Sequence, residues 1–98
     1  MNSTNSIDHR MALLRARFCS TLNDRIKALL DAFDRGDLAV AHAVAHAIAG
    51  SAGLFGFAAL SEQAQVVSEH CASGNKAAAI SAARALGASS AGVLSKAA

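Results

Sequence analysis

The chain predicts an all-α fold, an antiparallel up-down four-helix bundle. Three observations carry that expectation. Its 98 residues contain no proline and are 53% hydrophobic, with Ala the dominant type, a mixture that favours helices. Apolar residues recur at spacings of three and four along four successive segments, the period of a helix with one buried stripe. The turn signals between segments are short, which makes consecutive helices antiparallel neighbours.

The first helix is expected over 7–34. Met11, Leu14, Phe18, Leu22, Ile26, Leu29 and Phe33 form one continuous stripe. Asn5 or Ser6 is a candidate cap at its start, and Gly36 in "DRGD" suits its C-terminal end. Asp37 is placed to cap a second helix over 38–55, with its carboxylate at the positive helix end. A third helix over 57–73 carries Leu60, Ala64, Val67 and Cys71 on one face, and "SGN" at Ser73–Asn75 turns the chain. A fourth, over 76–94, carries Ile80, Ala83, Leu86 and Val93 or Leu94, diluted by Gly87 and Gly92. The whole of 1–98 reads as a single domain.

Composition narrows the function classes. The formal charge is +2, without a Lys/Arg block, and the chain has four Phe but no Tyr or Trp. That argues against nucleic-acid binding. The N-terminal residues show no signal-peptide pattern, so a cytoplasmic location is expected. Cys19 and Cys71 lack CxxC spacing and read as reduced, half-buried small hydrophobes. From Leu38 to Ser61 there is no Asp, Glu, Lys or Arg. About 20 such residues suffice to cross a bilayer, but Ala, Gly, Ser and His supply little drive for insertion. No membrane association is expected. A monomer or weak dimer is, since Ala-rich faces bury modest apolar area.

Within that uncharged run stand His42 and His46. At 100° per residue, Val40, Val44, Ile48 and Phe55 gather on one side of the second helix, the expected core face. His46 lies nearly opposite, with His42, Ala43, Ala49, Gly50 and Gly53 within about 60° of it. Two imidazoles on a platform of small residues read as a docking surface or as a second packing face. HxxxH without a third ligand is a weak metal signal, and no metal site is assigned. A Ser/His hydrolase would need a nucleophile elbow and an orienting acid, neither of which is present. Covalent relay through an exposed imidazole needs only the nucleophile and a docking surface.

"AHAIAGSAGLFG", Ala45 to Gly56, resembles the signature of histidine-containing phosphotransfer (HPt) domains. In that signature an acceptor His precedes a Gly-Ser-Ala-Gly run and a later Gly. "LLDAFDRGDLAVAHAVAH" upstream and "LSEQAQVVSEHCASGN" downstream are also similar to the family's flanking helices and turns. The resemblance covers Met11 to Asn75 well and the last helix loosely. It implies a phosphorelay intermediary without kinase activity, with His46 as phosphoacceptor and receiver-domain aspartates as donors and recipients. A hybrid histidine kinase is a further implied partner. The chain itself then needs no cofactor, because the receiver brings its own Mg²⁺. His42, Ala43, Ala49, Gly50 and Gly53 become the partner-contacting rim. His42 is expected mainly as interface filler, with a supporting hydrogen bond to the phosphoryl group or to the partner as its other role. The family's Gln on the following helix aligns near Ser68, and Gln65 shares that helix face, so both are supporting candidates. The chain departs from the family at Ala47 and Ala49, where lysines are common. That departure leaves open a degenerate module which binds receivers or dimerises without phosphotransfer.

Overall fold

A computed structural model describes the backbone of residues 3–97 and the side chains of residues 7–93. It contains α1 (Ser3–Asp34), α2 (Leu38–Leu54), α3 (Ala58–Ala72) and α4 (Lys76–Ala97). Each helix packs on its chain neighbours, and α4 closes back on α1. The architecture is the expected up-down four-helix bundle. None of the described helices is long and apolar enough to cross a membrane.

The three joints share one construction. Gly36, Gly56 and Gly74 adopt φ of 73°, 83° and 76°, a left-handed conformation that side-chain-bearing residues adopt at a cost. The amide after each glycine reaches back to a carbonyl five residues earlier: Asp37 to Ala32 at 2.8 Å, Phe57 to Ala52 at 2.8 Å, and Asn75 to His70 at 2.9 Å. These are Schellman closures. The residue that closes one helix also begins the next. The Asp37 carboxylate accepts from the Val40 amide at 3.1 Å, and the Asn75 side-chain carbonyl accepts from the Ala78 amide at 3.2 Å. Phe57 makes no side-chain cap. Its ring instead stacks on Phe18 with centroids 5.3 Å apart, and Phe55 meets the same Phe18 ring at 5.7 Å. The α2–α3 joint is therefore pinned to α1 by aromatic contact rather than by a polar cap.

Three sequence expectations change. α1 already runs from Ser3, so Asn5 and Ser6 lie inside it and are not its cap. Its apolar stripe is buried from Phe18 to Phe33, while Met11 and Leu14 are exposed. At 1.5 Å per residue the 32 residues of α1 span about 48 Å, against about 26 Å for the 17 of α2. The first turns of α1 therefore overhang the bundle.

The third change concerns α2. Its buried residues are Ala41, Ala45, Ile48 and Ala52. Val40 is exposed, and Val44 and Phe55 are only half-buried. The core face is rotated roughly 65° from the one that the larger apolar residues suggest. Methyl groups let α2 approach its neighbours closely, so the small residues take the inside and the valines the margin. α4 runs unbroken through Gly87 and Gly92, with Ala79, Ala83, Leu86 and Ser90 buried. Ile80 and Val93 are half-buried, and the side chain of Leu94 lies outside the described residues. Cys19 and Cys71 are free thiols, both buried, and burial pushes the Cys71 thiol up from its ordinary value.

Candidate functional site

The rotation of α2 decides how its two histidines are presented. Measured around the helix, the centre of the buried face lies about 130° from His46 and about 90° from His42. His46 therefore points out, and His42 stands at the seam with α3. Both residues are exposed. Their rings are near parallel, 19° apart in plane, with centroids 6.3 Å apart.

Their polar contacts differ. His42 Nδ1 lies 3.0 Å from the Ser68 carbonyl oxygen and 3.0 Å from Ser68 Oγ. Ser68 is buried on the α2-facing side of α3. Among the described residues, the His46 ring has no hydrogen-bond partner. No hydrogen bond from the described residues fixes its tautomer or its rotation, and the residue is exposed to a visitor.

The ground around His46 is low. Ala39, Ala43, Ala47, Gly50 and Gly53 are exposed along the same stripe, and no charged side chain belongs to it. A Cβ added at Gly50 would meet nothing within 4 Å, so that position opens directly to solvent. Gly53 differs: a Cβ there would come within 3.3 Å of Ser61 Oγ. Ala49 is half-buried at the same seam, and Ser61 Oγ donates to its carbonyl at 2.8 Å. Of the five rim residues expected from the sequence, Ala43 and Gly50 lie fully on the open face. His42, Ala49 and Gly53 also serve the α2–α3 contact.

Ser68 meets His42 rather than His46, and Gln65 is exposed further out on α3. The wheel of α2 alone could not reveal this pairing, because it depends on which face α3 turns toward α2. On the opposite flank, Arg25 of α1 donates to Ser51 Oγ at 2.9 Å. With Thr21, Asp24, Ala28, Ala43, Val44 and Ala47 it lines a shallow apolar groove beside the histidine stripe. Sequence reasoning did not single out Arg25. Its place on the margin of the α1 stripe, one residue before Ile26, was the available signal. Among the described residues, no group of three or more His, Cys, Asp or Glu is placed to hold a metal ion.

Comparison with known proteins adds a family. The model of the Hpt domain matches residues 13–95, which takes in all of α2 and α3 and most of α1 and α4. No curated protein and no solved structure matches the chain.

Proposed function

The chain belongs to the Hpt domain family, and from that premise we propose that His46 is its phosphoacceptor, relaying a phosphoryl group between receiver-domain aspartates. Hpt domains are histidine phosphotransfer modules of two-component signalling and interact there with receiver domains and histidine kinases. The observation that carries the assignment to His46 is its setting: an exposed, unbonded imidazole on an uncharged stripe of Ala and Gly.

The chemistry needs little else from this chain. The nucleophile is the lone pair of a neutral imidazole nitrogen. Nε2 attacks the phosphorus of the partner's aspartyl phosphate in line. The N–P bond forms, the acyl O–P bond breaks, and the aspartate leaves as a carboxylate. Return transfer reverses the same steps. Such transfers are governed by positioning and by charge stabilisation around the phosphoryl group. Gly50 and Ala43 permit a rigid partner surface to reach the ring, and the partner supplies the charge. The transient contact such a relay requires suits a small surface.

Ala47 and Ala49 favour a second reading, a module that binds receivers without taking up phosphate, because neither brings an ammonium to the acceptor. Label transfer separates the two. A panel of receiver domains is charged with radiolabelled acetyl phosphate and mixed with the chain. The relay reading expects acid-labile label on the chain, lost in His46→Ala and retained in His42→Ala. Co-elution with a receiver and no acid-labile label in any mixture would leave the binding-only reading.

A further inference from the structure

We propose that His42 and Ser68 form a built-in hydrogen-bond donor for the phosphoryl group on His46, with Ser68 acting through His42. The inference rests on His46 as acceptor and adds the means by which this chain holds the phosphorylated form.

The geometry offers His42 two arrangements. In one, Nδ1–H donates to the Ser68 carbonyl oxygen at 3.0 Å, and Nε2 keeps its lone pair. In the other, Ser68 Oγ–H donates to Nδ1 at 3.0 Å, and the ring proton sits on Nε2. A serine hydroxyl rotates freely to suit its partner, and a neutral imidazole is one donor and one acceptor. One buried residue thus supports both tautomers of one exposed ring. The exchange needs no net protonation, only relocation of the imidazole proton.

A phosphoryl group on His46 selects between them. Its oxygens are acceptors carrying close to two negative charges and would repel a lone pair on His42. They attract an N–H donor, and a donor to an ionised acceptor makes the stronger class of hydrogen bond. The His42 ring already lies near parallel to His46 with centroids 6.3 Å apart, which places the two imidazoles side by side on one face. The anchor at Nδ1 has also removed much of the rotational freedom that a free side chain would lose on forming the bond. Ser68 is a positioning residue here and does not touch the phosphate. Among the described residues, no Lys or Arg shares the stripe with His46, and His42 is the side-chain N–H donor that the stripe offers.

The test loads the full chain with phosphoramidate, which phosphorylates imidazole directly and needs no partner. Mass spectrometry locates the phosphoryl group, and its decay from His46 is timed. A donor acting on the ionised phosphoryl group predicts a half-life roughly tenfold shorter in His42→Ala. His42→Gln, whose amide N–H₂ replaces Nε2–H, restores most of it, and Ser68→Ala falls between. Nitrogen NMR of His42 supplies a readout that a merely structural role would not move: Nε2 carries the proton once His46 is phosphorylated. An unchanged half-life in His42→Ala, or no rescue by glutamine, overturns the proposal while His46 remains the acceptor. Phosphate on other histidines but never on His46 removes the acceptor reading itself, and this proposal with it.

Discussion

The two flanks of α2 are built on opposite principles. Toward α3, side chains are tied down: Ser68 holds His42, Ser61 holds the Ala49 carbonyl, and Gly53 leaves room for Ser61. Toward solvent, His46 and Gly50 stand exposed on the helix, and Ala43 borders the α1 groove beside them. His42 and His46 differ by about 40° around the axis, and that angle alone puts one in each environment. The lesson is that a helix can fix its position through one edge and leave the neighbouring face free of long side chains. A nucleophile that must meet a partner gains from a rigid base and an uncommitted ring.

The largest effect that can sharpen this contrast lies at the root of α2. Ile48 is fully buried, and the other buried residues of the helix are alanines. It is the one large α2 side chain that is fully buried, with Leu38 and Val44 packed half-buried at the margin of the core. Ile48→Ala is expected to cost about 2–5 kcal/mol, a large share of the stability of a domain this size. Urea unfolding measures it. Label uptake per folded molecule should stay near the parent value, because the open face does not depend on that contact. Ile48→Val, expected to cost about 0.5–1.5 kcal/mol, provides the same comparison if the alanine variant does not fold. Uptake falling in step with volume at position 48, in molecules shown to be folded, would mean that core and face are not separable.

A smaller effect is expected at the seam. Ser61→Ala removes the 2.8 Å bond to the Ala49 carbonyl and should cost about 0.5–1.5 kcal/mol. Amide hydrogen exchange should rise first in the C-terminal half of α2. A variant as stable as the parent would show that the seam is held by packing alone.

How much of this was legible in the sequence follows from where the information lies. The four helices and their joints are local matters: Gly36 and Gly74 beside Asp37 and Asn75 announce their turns, and observed helix limits differ little from those read off periodicity. The outward direction of His46 was also legible, since it survives a core face displaced by roughly 65°. What was not legible is tertiary. Hydrophobicity ranks Val40 and Val44 above Ala41 and Ala45, yet close helix approach rewards the smaller residue. The Ser68–His42 and Arg25–Ser51 contacts each join residues 26 apart in the chain. No periodicity within one helix records which neighbour its edge will meet, so Ser68 was expected near His46 but reaches His42 in space.

The smallest expected effect gives the finest test of the two flanks, because stability and function should move in opposite directions. Gly50 is helical, and a Cβ there meets nothing within 4 Å. Gly50→Ala should therefore stabilise the fold by up to about 1 kcal/mol through helix propensity. If the open face is where a partner approaches His46, the added methyl group slows label transfer in the same variant, and Gly50→Leu slows it further. Gly53→Ala makes the paired control. Its Cβ comes within 3.3 Å of Ser61 Oγ, so the propensity gain is offset at the seam, and the effect on transfer should be weaker. Thermal melts and transfer rates on both variants read the difference. A Gly50→Ala chain that is more stable and equally fast would show that the partner does not approach over Gly50, and would move the docking face toward the Arg25 groove on the α1 side.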